Sequence, residues 1–116
     1  MDMRHLALAA DWEAAVAAGS YRVSTRGVSL EDEGFIHCSF PEQVADVAVR
    51  HYADVTEPLV VLVIDGEEVE AGGVAVLVED VDGVDYPHVY GPLYPECVTD
   101  VLPARIEGGR LVIEQP

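Results

Sequence analysis

The pattern of apolar and polar positions along the chain predicts short strands interrupted by two helices. His5 to Ala9 reads as a short apolar strand. Asp11 to Ala18 has apolar residues at helical spacing, and Gly19 follows as a C-terminal stop. The run Leu59 to Ile64 is apolar on both faces and rich in β-branched residues, which predicts a central strand. Asp65-Gly66 is typical of a turn that ends it.

A second helix is predicted after Ser39. Ser39 and Glu42 match a capping box in which Ser39 is the N-cap, and Pro41 suits the first turn because it lacks an amide proton. Four residues recur at helical spacing and form the expected buried stripe: Val44, Val47, Ala48 and Tyr52. The helix is therefore expected to run to about Tyr52.

The second half of the chain reads as short strands. They are Val74 to Val78, Val89-Tyr90, Cys97 to Leu102, and a terminal hairpin of residues 105–106 and 111–114 across Gly108-Gly109. Short strands with two helices, both in the first half, predict the α+β class. The length of 116 residues fits one domain over 1–116.

The charge of the chain narrows the classes of partner. There are 22 acidic and 6 basic residues, all six of them arginines, and the net charge is −16. Affinity for nucleic acid comes largely from cationic contacts to phosphates, so binding of nucleic acid or of an anionic membrane surface is disfavoured. A local pocket built on Arg4, Arg22 or Arg26 could still hold one small anion.

Other features point to a cytoplasmic protein. Cys38 and Cys97 are too few for a disulfide framework and lie in no CxxC pattern, so both are expected to be reduced. The N-terminus lacks the layout of a signal peptide. No apolar run approaches the ~20 residues that a membrane helix needs.

Two short segments place histidines where chemistry is plausible. Gly34 to Ser39 carries His37 just before the predicted helix start, where free N–H groups favour an anion. Pro87 to Leu93 carries His88, and strand alternation puts Tyr90 on the same face. The alternative for the first segment is that His37 is structural and hydrogen-bonded to the backbone. The alternative for the second is that Tyr90 lies in the core and His88 at a strand edge.

The remaining candidates carry weaker signals. His5 opens the first strand, and His51 is predicted to face solvent. No zinc-binding spacing is present, so no metal site is predicted. Cys38 alternates away from His37, which favours a buried thiol over a nucleophile.

The order of these segments resembles the family known as domain of unknown function 952. The resemblance rests on Asp11 to Ala15 with Gly19 to Tyr21, on Glu33 to Ser39, and on Pro87 to Leu93 after the apolar strand. It covers nearly all of the chain except the last dozen residues. The family is similar to the ADP-ribosyltransferase fold, which implies small split antiparallel sheets around an NAD-binding cleft.

The resemblance implies roles for particular residues. The resemblance matches His5 to a first-strand position that contacts a ribose, and either His37 or Tyr90 to the position that cradles nicotinamide. Glu79 is the candidate for the carboxylate that completes a transferase site. We accordingly expect His37 and His88 to be catalytic and His5, Ser39 and Tyr90 to bind the ligand in the same cleft.

Three functions follow as hypotheses. The first is an enzyme that uses NAD or a related nucleotide, in which a carboxylate stabilises an oxocarbenium-like state. The second is a non-catalytic module that binds a small nucleotide. The third, an RNA 2'-phosphotransferase, ranks last because it needs several cationic side chains at the cleft. No protein partner is indicated.

Overall fold

The computed structural model describes residues 1–114, and it confirms the α+β class. The elements follow the chain as β1 (Asp2–Leu8), α1 (Ala9–Ala18), β2 (Val23–Thr25), β3 (Val28–Ser29), α2 (Leu30–Glu33), β4 (Ile36–His37), α3 (Val44–His51), β5 (Leu59–Asp65), α4 (Gly66–Ala71), β6 (Val76–Val81), β7 (Val84–Val89), β8 (Val98–Glu107) and β9 (Arg110–Ile113). Short 3₁₀ turns at Pro41–Gln43 and Pro95–Cys97 precede α3 and β8. None of the helices in the described residues is long and apolar enough to cross a membrane.

The larger sheet has four antiparallel strands in the order β1-β5-β8-β9. β5 lies between β1 and β8, with His5 opposite Leu62 in the register of the first pair. Most of its residues are buried, on both faces, because each face packs against its own apolar layer. The prediction of a central strand at Leu59 to Ile64 is therefore confirmed. The terminal hairpin is confirmed as β8 and β9.

Alternation along β1 sends side chains into two cores. Met3 and Ala7 join Leu62 of β5, Trp12 of α1 and Ile36 of β4 in the first core. Leu6, which alternates with them along β1, belongs to the second core, which α3 covers. Its other members include Val44, Ala48, Tyr52 and Val61. The period of two along a strand explains how one sheet serves both layers.

A three-stranded antiparallel sheet, in the order β4-β7-β6, packs beside the larger one, and β2 and β3 form a separate ribbon. The two sheets are joined where Arg4 and Ser39 exchange backbone hydrogen bonds, each 2.7 Å between nitrogen and oxygen. Cys38 also donates its N–H to the carbonyl of Pro87 at 3.0 Å. This junction places the end of β4 against β1, so residues 37–39 are held from both sides.

The prediction that Ser39 caps the second helix was wrong. The backbone N–H of Ser39 is bonded to the carbonyl of Arg4, and the helical turn begins one residue later. Phe40 instead donates its N–H to Oε1 of Gln43 at 2.8 Å. Pairing of Ser39 with β1 satisfies its backbone and outweighs the local capping pattern, so the N-cap is Phe40, one residue later than predicted.

The turn predicted at Asp65-Gly66 is the start of a helix. Asp65 Oδ1 accepts a hydrogen bond from the N–H of Glu67 at 3.0 Å, so Asp65 acts as the N-cap of α4. The described residues accordingly contain helices beyond the two predicted, α2 and α4, and α4 lies in the second half. The first predicted helix is confirmed, and Gly19 ends it with a φ of 94°.

Close packing against Val74 explains why a glycine, Gly91, follows Tyr90. A Cβ at this position would lie 2.9 Å from Cγ1 of Val74, closer than real side chains approach. Because the valine side chain is branched and stiff, it cannot move away cheaply. The absence of a side chain at Gly91 lets the chain turn directly after the histidine-bearing strand β7.

Candidate functional site

The structure brings His5, His37 and His88 together at the junction of the two sheets. His37 of β4 and His88 of β7 are direct cross-strand partners. Their rings meet edge to face, with centroids 4.9 Å apart. His5 of β1 reaches the same point from the larger sheet, since its Nδ1 lies 2.6 Å from the carbonyl oxygen of His37.

His5 is fixed and uncharged. A carbonyl oxygen can only accept, so Nδ1 of His5 carries the proton that it donates to His37. Nε2 then accepts a hydrogen bond from the hydroxyl of Tyr21 at 2.9 Å. Burial lowers the pKa of His5 to about 4. With both ring nitrogens occupied inside the protein, this side chain is suited to holding the backbone of His37 in place.

His37 is half-buried and turned toward a carboxylate. Its Nε2 lies 3.3 Å from Oε1 of Glu33, the last residue of α2. Burial lowers the pKa of His37, and the neighbouring His88 lowers it further, while Glu33 raises it. Of the two histidines predicted to be catalytic, His37 is the one whose ring retains access to solvent.

His88 is almost fully buried, with 2% of its surface exposed. Its Nδ1 donates to Oε1 of Glu79 at 2.8 Å, and the hydroxyl of Tyr90 donates to the same oxygen at 2.5 Å. These two donors lower the pKa of Glu79, the Tyr90 hydroxyl having the larger effect. The ring of Phe35 stacks on that of His88, with centroids 4.1 Å apart. Within residues 1–114, Nε2 of His88 has no hydrogen-bond partner.

A cavity of about 460 Å³ opens beside His37. Its inner wall consists of buried residues, both polar and apolar: His5, Leu6, Ser24, Cys38, Ser39 and Tyr52. The cavity thus takes in three of the predicted site residues, His5, His37 and Ser39. His88 and Tyr90 do not line it and lie behind His37, in the group held by Glu79.

The mouth of the cavity is formed by exposed residues, two of which are arginines, each paired with an aspartate. It consists of Arg26, Arg50, His51, Val81 and Asp82. Nη2 of Arg26 donates to the carbonyl of His51 at 2.9 Å and to Oδ1 of Asp54 at 2.8 Å, which ties the start of the β2–β3 turn to the end of α3. Asp82 is the one carboxylate side chain that lines the cavity in the described part of the chain.

Several lining residues were not predicted from the sequence. Arg26 was one of three arginines considered for a small-anion pocket, whereas Ser24, Arg50 and Tyr86 carried no signal, and His51 was predicted to face solvent. His51 is indeed exposed, yet it lies at the mouth. These residues come from β2, α3 and β7, which only the tertiary fold brings together.

The structure does not favour Cys38 as a nucleophile, and within residues 1–114 it groups no set of metal ligands. Burial raises the pKa of the Cys38 thiol to about 12, so the thiolate that a nucleophile requires does not form near neutral pH. Both cysteines are free and buried. No group of three or more histidine, cysteine, aspartate or glutamate side chains within residues 1–114 is placed to hold a metal ion.

Comparisons with known proteins give the family and the fold. The model of a protein family of unknown function, DUF952, matches residues 6–101. The X-ray crystal structure of protein CC0527 from Caulobacter crescentus is similar over 97% of this chain and 94% of that one, with 26% identity and a TM-score of 0.81. A double mutant of CC0527 matches equally well. No curated protein matches. The chain therefore belongs to the DUF952 family of proteins of unknown function.

Proposed function

We propose that this chain binds NAD or a related nucleotide in the cavity beside His37. The observation that carries the proposal is a cavity of about 460 Å³ whose inner wall combines apolar residues with a few polar side chains. Small-molecule sites commonly span ~300–1,000 Å³ and combine apolar walls with a few placed polar groups. The resemblance of the segments around His37 and His88 to a family similar to ADP-ribosyltransferases supports the choice of NAD.

The inner wall offers hydrogen bonds that suit a sugar. Ser24 is completely buried, and its hydroxyl has no hydrogen-bond partner among residues 1–114. A buried polar group without a partner costs free energy, and most such groups in proteins are satisfied. Ser39 and the neutral ring of His37 line the same cavity. A ribose in the cavity can bond to the accessible ring of His37, and it reaches the hydroxyl of Ser24 once the wall shifts on binding.

Catalysis would rest on His37 and on a carboxylate. The bond from the ribose carbon to nicotinamide would break through an oxocarbenium-like state, which a nearby negative charge stabilises. A water molecule would then add to the same carbon and release a proton, so that the products are ADP-ribose and nicotinamide. The Tyr90 hydroxyl and His88 favour the ionised form of Glu79 by holding its pKa low. We propose that Glu79, His88 and Tyr90 form the charged support behind His37.

The placement of Glu79 also favours a second candidate, a nucleotide-binding module without turnover. The carboxylate of Glu79 accepts two hydrogen bonds from side chains of its own sheet and does not line the cavity. In that case the histidines would orient a bound nucleotide, and no bond would break. Binding and turnover therefore need separate measurements.

The experiment combines calorimetric titration of NAD with an assay for free nicotinamide. Binding together with nicotinamide release would establish an enzyme, and binding alone would establish the module. His37→Ala is expected to weaken NAD binding about tenfold, the size of one lost hydrogen bond to a ligand. His37→Gln, which keeps a donor and an acceptor, should restore part of the affinity. Unchanged affinity in both variants would contradict a role for His37.

Ser24→Ala tests the inner wall through opposite effects on stability and binding. Removing a buried hydroxyl that has no partner is expected to raise the free energy of unfolding by about 1 kcal/mol. The same change should weaken NAD binding, because the ligand loses its partner. Urea unfolding and calorimetry measure the two effects, with Ser20→Ala, outside the cavity, as the control. A loss of stability in Ser24→Ala would show that the hydroxyl is already satisfied in the free protein.

A further inference from the structure

The cations at the mouth of the cavity are unexpected in a chain whose net charge is −16. Two of the six arginines, Arg26 and Arg50, lie there beside His51. We infer that Arg26, Arg50 and His51 form a phosphate subsite, so that a ligand binds with its phosphate at the mouth and its sugar and base toward Ser24. This orientation rests on the proposed function and adds the chemical class of the ligand to it.

Arg26 is held in place and still has donors to offer. Nη2 makes both of its hydrogen bonds, to the carbonyl of His51 and to Asp54, and its guanidinium lies 5.7 Å from the ring centre of Tyr52. A guanidinium carries five N–H donors, so those on Nε and Nη1 remain for a ligand. A preorganised arginine loses less entropy when it binds a phosphate than a free one does.

Arg50 brings a second guanidinium from α3. Its Nε lies 2.9 Å from Oδ2 of Asp46 one turn earlier, which leaves both Nη groups for a ligand. Exposed ion pairs of this kind contribute at most about 1 kcal/mol, so a phosphate dianion can compete with Asp46 and Asp54 for the two arginines. His51 is next to Arg50 in the last turn of α3, and its imidazole ring can donate an N–H to a phosphate.

The inner wall is unsuited to a phosphate, which fixes the orientation. His5 has both ring nitrogens bonded within the protein and stays neutral, and the thiol of Cys38 is buried. No arginine lines the inner wall. A phosphate there would be desolvated without a charged partner, at a large cost in free energy. At the exposed mouth a phosphate stays hydrated and can also contact Arg26 and Arg50.

Two sources supply the same chemistry, the diphosphate bridge of a dinucleotide and the terminal phosphate of a mononucleotide. The probes are inorganic phosphate, nicotinamide mononucleotide, nicotinamide riboside and NAD, each titrated at fixed ionic strength into isotope-labelled protein. Inorganic phosphate is expected to shift the side-chain signals of Arg26, Arg50 and His51 without moving those of Ser24. The riboside, which lacks phosphate, should shift Ser24 and leave the arginine signals in place. If NAD binds more tightly than nicotinamide mononucleotide, the subsite holds the diphosphate bridge. If the mononucleotide binds more tightly, the subsite holds a terminal phosphate.

Charge-neutralising variants test the subsite, with the arginine of another surface as a matched control. Arg50→Gln is expected to weaken phosphate binding about five- to tenfold, because an exposed charge-assisted contact is lost. Arg105→Gln makes the same charge change next to Glu107, away from the cavity, and should have no effect. Arg26→Lys keeps the charge, so it tests whether the fork geometry matters without leaving Asp54 unpaired. Melting temperatures check that each variant is folded.

The outcomes separate this inference from the proposed function. Phosphate shifts at the arginines without any NAD binding would support the subsite and contradict the choice of NAD. NAD binding that is equally strong in the wild type and in Arg50→Gln and Arg26→Lys would support the function and overturn the subsite. Equal weakening by Arg105→Gln would also overturn it, since only the long-range field would then be acting. Absence of shifts with every phosphate-bearing probe would overturn it outright.

Discussion

Lowering the pH from 7 to 4 is expected to reduce the free energy of unfolding by about 3 kcal/mol through His5 alone. In the folded protein burial lowers the pKa of His5 from 6.5 to about 4. In the unfolded chain His5 is therefore protonated below about pH 6.5, whereas in the folded chain it is protonated only below about pH 4. The contribution is fully present above the unfolded pKa and is lost as the pH falls through the folded one.

Urea unfolding between pH 7 and pH 4, in the wild type and in His5→Gln, measures this contribution. The comparison is needed because protonation of the 22 acidic residues relieves repulsion over part of the same range and acts in the opposite direction. His5→Gln should be less stable at pH 7, since Tyr21 and the carbonyl of His37 lose their partner. It should also lose less stability on acidification. Parallel pH profiles of the two proteins would contradict a neutral, buried His5.

Leu62→Ala is expected to lower the free energy of unfolding by about 3–5 kcal/mol. Leu62 is completely buried in β5, in the first core, and lies opposite His5 in the register of β1 and β5. Truncation removes apolar area and leaves a cavity that the rigid central strand cannot close. Because the cavity forms beside His5, water that enters it should also raise the pKa of His5 toward its usual value.

Chemical unfolding and the histidine titration followed by NMR give the two readouts. Val49→Ala is the matched control, because Val49 lies on α3 with half of its surface exposed, and a change there should stay within about 0.5 kcal/mol. A loss below about 1 kcal/mol in Leu62→Ala would show that the strand is not packed as described. The account of two cores around β5 would then have to be revised.

Local patterns predicted the elements that local physics decides. The run from Leu59 to Ile64 reads as a buried strand because apolar, β-branched residues on both faces suit the centre of a sheet, and it lies there. Gly19 ends α1 because glycine accepts a positive φ without strain. The separation of His37 from Cys38 follows from strand alternation, and Cys38 is buried in the first core.

Tertiary pairing decided the rest. The capping pattern at Ser39 failed because the backbone of Ser39 pairs with that of Arg4, about a third of the chain away. The same pairing draws His37 toward His5, a neighbour that no sequence spacing reveals. The mouth of the cavity depends on a bond from Arg26 to the carbonyl of His51, between a loop and a helix end. Composition could indicate only that a small anion pocket was feasible.

Membership of the DUF952 family and the likeness to CC0527 fix the fold more firmly than the activity. The function proposed here therefore rests on the chain's own cavity. In that cavity lie a fixed neutral His5, a half-buried His37 and Ser24, whose hydroxyl has no partner within residues 1–114. Each of these features is open to direct test.

The most direct measurement is an NMR titration of the labelled protein with NAD, with ADP-ribose and nicotinamide added to separate samples. The account predicts shifts that cluster on Ser24, His37 and His51 around the cavity, and weaker effects of nicotinamide alone. Shifts confined to other surfaces, or no shifts at millimolar NAD, would contradict the claim that this cavity is a nucleotide site.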